Sequence, residues 1–129
     1  MLFDTSVLID YLKQNDLGAV YFVELVIDGL QPGYCSAIAE AELWTGVRNN
    51  REAARILALL ERFTVIPFTS DTARLAGSLL RGKSGGEIKA HFADALIAAT
   101  ALEISQSILT ADGKSQTVFG SQVNYLVYR

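Results

Sequence analysis

The chain has 129 residues, half of them hydrophobic and 19% charged, with a formal net charge of −3 and a single cysteine, Cys35. This composition excludes a disordered chain, and no apolar run approaches the roughly 20 residues of a membrane span. Because there is also no basic N-terminal segment and no internal disulfide, the sequence predicts one domain over residues 1–129, in the cytoplasm and away from membranes.

Short apolar segments alternate with longer helical patterns along the whole chain. The pattern predicts a strand at 2–3, helices at 7–12 and 16–30, a strand at 34–35, helices at 37–48 and 52–63, a strand at 65–66, helices at 72–81 and 87–103, and strands at 107–109 and 123–128. The predicted helix caps are Thr5 or Ser6, Ser36, and Ser70 or Asp71. A break is predicted over residues 82–86. This alternation predicts an α/β fold around a parallel-type sheet.

Four carboxylates stand where folding alone favours an apolar or neutral residue: Asp4, Glu42, Asp94 and Asp112. A buried carboxylate is normally paired or bound to a metal, and no Lys or Arg lies within four residues of Asp4 or Asp94. Ligands of open parallel sheets bind outside the carboxyl ends of the strands, where Asp4 and Asp112 are predicted to lie. The pattern alone leaves open whether Glu42 or Glu40, on another side of the same helix, faces this edge.

Clustered carboxylates of this kind favour a divalent cation, and an all-oxygen site suits Mg²⁺ or Mn²⁺. Such a centre can activate water and stabilise the leaving oxygen of a phosphodiester. The single histidine, His91, and the absence of a Cys/His cluster argue against zinc. Other interpretations remain open residue by residue: Asp4 can cap the following helix, and Asp112 before Gly113 is also typical of a turn.

Four segments together carry a family resemblance: DTSVLID at 4–10, SAIAEAEL at 36–43, DALIAATA at 94–101 and LTAD at 109–112. They resemble the motifs of PIN-domain ribonucleases, and the length and order of the segments most resemble the VapC-type toxins of toxin–antitoxin pairs. The resemblance implies a PIN-like α/β/α sandwich around a central, mainly parallel sheet of four to five strands.

The resemblance also implies a site. It selects Glu42 over Glu40 and assigns catalysis and Mg²⁺ or Mn²⁺ binding to the four acids named above. It places the hydroxyls of Ser6 and Thr110 in support of those acids through hydrogen bonds. It further implies a homodimer, inhibited by a small antitoxin that lays a segment across the site. The chain departs from the family after Asp112, where an acid and a phenylalanine often follow but GKSQTVF stands here.

We therefore expect a metal-dependent endoribonuclease that is the toxin of a two-gene pair. Two alternatives remain open: a catalytically silent interaction module with the same fold, and an acid-cluster hydrolase acting on DNA or as a phosphatase. The cations expected to contact RNA phosphates are Arg81, Lys83 and Lys89, near the start of the helix that carries Asp94.

Several other side chains have two interpretations. His91, one turn before Asp94, is either a substrate contact or a partly buried histidine. Trp44 belongs either to the core or to a dimer interface. The arginines at 48, 51, 55 and 62 are either a solvated helix surface or phosphate contacts.

Overall fold

The computed structural model describes residues 1–111, 113 and 118–129. Its strands are β1 (Leu2–Phe3), β2 (Tyr34–Ser36), β3 (Thr64–Ile66), β4 (Ile108–Thr110) and β5 (Tyr125–Val127). Its helices are α1 (Thr5–Lys13), α2 (Leu17–Ile27), α3 (Ala37–Trp44), α4 (Asn50–Leu60), α5 (Ser70–Leu80) and α6 (Gly85–Glu103). The predicted alternation of strands and helices is confirmed element by element.

Strand β1 lies at the centre of a parallel sheet whose strand order is β3-β2-β1-β4-β5. The chain extends the sheet from β1 through β2 and β3, then continues on the other side of β1 with β4 and β5. The direction of winding therefore reverses between β1 and β4. In open α/β sheets, the crevice outside the carboxyl ends of the strands at such a reversal is where ligands bind. Asp4, the residue after β1, lies at this crevice.

The sheet separates two hydrophobic clusters, because successive residues of a strand point to opposite faces. Phe3 packs with Leu109 and the apolar sides of α1 to α4, whereas Leu2 packs with Ile108 and with α5 and α6. Leu2 and Phe3 are at most 1% exposed. The result is the predicted three-layer α/β/α sandwich.

Helix α6 begins earlier than the sequence pattern predicted, and the expected break over residues 82–86 is only partly correct. Gly85 and Gly86 form the first turn of α6 instead of interrupting the chain. A capping box explains the difference: the Ser84 side chain accepts from the Glu87 N–H, and the Glu87 side chain accepts from the Ser84 N–H. Two satisfied N-terminal donors compensate for the low helix propensity of the two glycines.

Two other predicted caps are replaced by their neighbours. Helix α1 is capped by Asp4, not by Thr5 or Ser6, and helix α5 is capped by Thr69, whose hydroxyl accepts from the Thr72 N–H. Ser36 caps α3 as predicted. Helix α2 ends at Ile27, short of the predicted 30, where Gly29 takes a φ of 73°. Helix α3 ends at Trp44, short of the predicted 48.

The C-terminal residues fasten the edge of the sheet to the first two helices. The Tyr128 hydroxyl donates to Asp10 Oδ2 at 2.8 Å. The Arg129 guanidinium contacts Asp10 at 2.6 Å and Asp16, the N-cap of α2, at 3.1 Å. We call these four residues the C-terminal clamp. No helix in the described part of the chain has the length and apolarity needed to cross a bilayer.

Candidate functional site

The two carboxylate oxygens of Asp4 have different hydrogen-bond partners. Oδ1 accepts from the Thr5 N–H at 2.8 Å, which caps helix α1. Oδ2 accepts from the hydroxyl of Thr110 at 2.8 Å and from that of Ser6 at 3.3 Å. The capping interpretation of Asp4 is therefore correct, and it coexists with a position at the crevice.

The two hydroxyls expected to support the acids both contact Asp4. Ser6 Oγ also lies 3.4 Å from Thr110 Oγ1 and accepts from the Ala111 N–H at 3.3 Å. These bonds join the start of α1 to the end of β4, which are more than 100 residues apart in sequence. The parallel register explains the meeting, because Phe3 pairs with Leu109 and the next residues of both strands are then side by side.

Glu42 and Glu40, which the pattern did not distinguish, face different neighbours. Glu42 Oε1 accepts from the Thr5 hydroxyl at 2.7 Å, directly beside Asp4. Glu40 Oε2 accepts instead from the indole N–H of Trp44 at 3.0 Å, one turn along α3. Trp44 itself packs against the hydrophobic cluster that contains Phe3. The geometry brings Glu42, and not Glu40, to the first acid.

Asp94 reaches the crevice from helix α6. It lines a small pocket with Asp4, Ile97, Ile108 and Tyr125. The volume of this pocket is about 10 Å³, which is the space of roughly one water-sized sphere. The pocket lies between the first and third acids.

The backbone of α6 kinks one turn before Asp94. His91 has a φ of −115° and a ψ of 17°, which are not helical values. Its Nδ1 atom lies 3.5 Å from Asp94 Oδ2, and the two side chains are 31% and 36% exposed. His91 is therefore a part-exposed neighbour of the third acid and is not enclosed in the core.

Asp4 lies near two other carboxylates, Asp94 and Glu42. Burial raises the pKa of Asp4 above its ordinary value; hydrogen bonds from Thr110 and the Thr5 N–H oppose this rise, and the charges of Asp94 and Glu42 add to it. None of these three acids forms an ion pair with Lys or Arg within the described residues. Burial also raises the pKa of the Tyr125 phenol, and the charges of Asp94 and Asp4 raise it further.

The donor set has the chemistry of a hard-cation site. Carboxylate and hydroxyl oxygens suit Mg²⁺ or Mn²⁺, and no thiolate or histidine pair is present to favour zinc. Among residues 1–111, 113 and 118–129, no three Asp, Glu, His or Cys side chains stand close enough to hold an ion as they are placed. Asp112, the fourth predicted ligand, lies outside the described residues. The residues thus fit the predicted cation by type, with Asp4 and Asp94 on one pocket and Glu42 beside them.

The predicted phosphate-contact cations lie around the start of α6. Arg81 and Lys89 are exposed. Lys83 is partly buried, and its Nζ atom lies 5.8 Å from the centre of the Phe119 ring. Among the other arginines, Arg48 pairs with Glu52.

A groove beside Glu42 was not predicted from the sequence. It lies between α1, α3 and α4 and has a volume of about 610 Å³. Its apolar residues are Ile9, Leu12, Leu43, Val47 and Ile56; its charged residues are Lys13, Glu42, Arg48, Glu52 and Arg55. The groove had no signal in any one segment, because three helices separated in sequence contribute to it. Thr5 and Tyr125 were also missed as neighbours of the acids.

Comparison with known proteins places the chain in a family. The model of the PIN domain matches residues 1–118. Ribonuclease VapC19 of Mycobacterium tuberculosis is 30% identical over 118 residues, which are 92% of this chain and 93% of that protein. A toxin–antitoxin complex from Klebsiella pneumoniae contains a similar chain, with a TM-score of 0.72 and 24% identity over 98% of this chain and 95% of that one.

The fold is also shared with more distant structures. VapBC2 from Rickettsia felis, solved with a DNA fragment from their promoter, has a TM-score of 0.75 at 14% identity, covering 99% of this chain and 98% of that one. The family match, the VapC relative and the parallel sheet agree with what the four sequence motifs predicted. The chain belongs to the PIN domain family.

Proposed function

We propose that this protein is a metal-dependent endoribonuclease and the toxin of a toxin–antitoxin pair. The observation that carries the proposal is the part-buried carboxylate of Asp4. The charges of Asp94 and Glu42 raise its pKa, and it has no ion pair with Lys or Arg in the described chain. A divalent cation relieves that repulsion. The relationship to Ribonuclease VapC19 supports RNA as the substrate.

In this proposal Asp4, Glu42, Asp94 and Asp112 hold Mg²⁺ or Mn²⁺. When bound, the cation supplies an activated water and stabilises charge on the phosphodiester. The hydroxyls of Ser6 and Thr110 fix the orientation of Asp4 Oδ2. Ile97 and Ile108 form the apolar part of the lining of the small pocket between Asp4 and Asp94.

The test compares wild type with Asp94→Asn and with Asp71→Asn, an exposed acid of α5 that serves as the control. On single-stranded RNA with Mn²⁺, wild type and Asp71→Asn should cut at equal rates, EDTA should stop both, and Asp94→Asn should lose at least about 100-fold, since losing a ligand charge weakens both metal binding and water activation. A DNA strand of identical sequence should remain intact. Full activity of Asp94→Asn, or preferential DNA cleavage, would overturn the proposal.

The antitoxin part of the proposal concerns the groove beside Glu42. We propose that a segment of the antitoxin lies there, with apolar side chains against Leu12 and Val47 and acidic ones near Lys13 and Arg55. Its position next to Glu42 would close the route of RNA to the acids. Co-expression with the product of a neighbouring short reading frame should suppress cleavage, and undiminished cleavage would reject that product as the antitoxin.

Three further expectations accompany this proposal. Arg81, Lys83 and Lys89 contact RNA phosphates, the protein forms a homodimer, and it acts as a single domain in the cytoplasm. Arg81 and Lys83 precede α6 and Lys89 lies in its first two turns, on the N-terminal side of Asp94, so they could hold an RNA backbone that approaches the third acid from the start of this helix.

A further inference from the structure

Thr5 forms hydrogen bonds to two of the acids, Asp4 and Glu42. Its backbone N–H donates to Asp4 Oδ1 at 2.8 Å, and its hydroxyl donates to Glu42 Oε1 at 2.7 Å. Thr5 is only 7% exposed. The second bond spans 37 positions of sequence and joins α1 to α3.

The burial and branching of Thr5 make it a rigid donor. A β-branched side chain has few rotamers, and burial restricts them further. Glu42, by contrast, is an exposed residue with a long, flexible side chain. The rigid Thr5 hydroxyl therefore holds the flexible Glu42 carboxylate in place.

The direction of the bond leaves Glu42 available as a ligand. The hydroxyl donates to Oε1 of the carboxylate, so this bond does not use Oε2. Carboxylates that bind metals are themselves usually held by such hydrogen bonds, and loss of the supporting partner typically costs 10- to 100-fold in metal affinity.

We propose that Thr5 is a positioning residue: its hydroxyl holds the Glu42 carboxylate toward Asp4, so that acids from α1 and α3 face one cation. This inference rests on the proposed metal-dependent function. It goes beyond the roles of Ser6 and Thr110, because those hydroxyls contact Asp4 and not Glu42.

The experiment measures Mn²⁺ affinity by calorimetry together with kcat and KM for RNA cleavage. Thr5→Val keeps the size and branching of the side chain and removes the donor, whereas Thr5→Ser keeps the donor. We expect Thr5→Val to weaken Mn²⁺ binding by roughly 10-fold or more and to lower kcat more than it raises KM. Thr5→Ser should remain within about threefold of wild type, since it restores the hydrogen bond.

Thr45, the C-cap of α3, provides a matched control. The Thr45 hydroxyl donates to the backbone carbonyl of Glu42 at 2.6 Å and not to its carboxylate. Thr45→Val should therefore leave Mn²⁺ affinity unchanged. Thermal unfolding followed by circular dichroism checks that each variant is folded, and Thr5→Ala replaces Thr5→Val in every comparison if the valine variant does not fold.

A double-mutant cycle separates positioning from a general structural effect. If Thr5 acts through Glu42, adding Thr5→Val to Glu42→Gln should change Mn²⁺ affinity by no more than about twofold. Additive losses would overturn the proposal, as would wild-type Mn²⁺ affinity in a folded Thr5→Val protein. Failure of wild type itself to bind Mn²⁺ or cut RNA would instead overturn the proposed function.

Discussion

Asp4 shows how one side chain serves the fold and the site at once. Its Oδ1 caps helix α1, so the carboxylate cannot turn away from the crevice without leaving a helix terminus unsatisfied. Its Oδ2 is held by two hydroxyls at the end of β4 and the start of α1. The orientation of the first acid is therefore a consequence of helix formation and does not depend on a bound cation.

The raised pKa of Asp4 predicts an unusual pH dependence of stability. Because the folded-state pKa lies above the ordinary value of 3.8, the folded protein binds this proton more tightly than the unfolded chain does. The buried charge therefore lowers the free energy of unfolding by its full amount above the folded-state pKa. This loss of stability disappears as the pH falls from the folded-state pKa toward the unfolded-state pKa. In EDTA, the free energy of unfolding of wild type should therefore rise relative to that of Asp4→Asn as the pH decreases.

Urea unfolding at a series of pH values from about 7 to 4 measures this difference. Asp4→Asn is the appropriate reference, because asparagine retains a capping oxygen and removes the titrating group. Added Mn²⁺ should then stabilise wild type more than the variant, since the variant lacks one of the proposed ligand charges. A pH-independent difference between the two proteins would contradict the explanation.

At the scale of elements, two glycines of helix α5 and the turn after it differ in backbone conformation. Gly77 lies within α5, and a Cβ built on it meets no atom within 4 Å. Gly82 also has open space, but its φ of 84° lies in the left-handed region, where it turns the chain between α5 and α6. Because a Cβ has room at both glycines and only Gly82 has a positive φ, comparing the two positions isolates the effect of backbone conformation.

Alanine substitution should therefore shift stability in opposite directions at the two positions. Gly77→Ala should stabilise the protein by about 0.5–1 kcal/mol, because alanine loses less backbone entropy in a helix. Gly82→Ala should destabilise it by about 1 kcal/mol or more, since the left-handed conformation strains a Cβ. Chemical denaturation measures both; stabilisation at Gly82 would show that the turn relaxes to another conformation.

At the scale of the whole molecule, the C-terminal clamp connects the outer strand β5 to the helices on one face of the sheet. Asp10 is only 9% exposed, and its negative charge is balanced by Arg129 and by the Tyr128 hydroxyl. Within the described residues, the side-chain bonds of the clamp join Tyr128 and Arg129 to Asp10 and Asp16 and to none of the acids of the candidate site. Global stability and metal binding should therefore be separable by mutation.

Tyr128→Phe tests this separation. Removing the hydroxyl bond to the Asp10 carboxylate should lower the free energy of unfolding by about 1–2 kcal/mol, as expected for a hydrogen bond to a charged acceptor. Mn²⁺ affinity should stay at the wild-type value, which calorimetry checks. A change in affinity comparable to that of Asp94→Asn would mean that the clamp and the acids are coupled through α1.

Sequence reasoning predicted the fold well because strand and helix patterns are local, and the family motifs placed the acids in order. It failed at Gly85 and Gly86 because a reciprocal cap outweighs two residues of low helix propensity. Helical periodicity did not separate Glu42 from Glu40; the motif did, and the bond between Glu40 and Trp44 gives the physical reason. Neither the groove nor the bond between Thr5 and Glu42 was predictable, since each depends on contacts between distant segments.

The bond between Thr110 and Asp4 joins residues 106 positions apart, which has a consequence for the order of synthesis. A chain growing on the ribosome exposes Asp4 first, but the strand that supports this acid emerges only after more than four fifths of the sequence has been made. Until then, β1 lacks the neighbour on one side that completes its pairing. Under the proposed function, the nascent chain lacks both this support and the last of the four acids, Asp112, until more than four fifths of it has been translated.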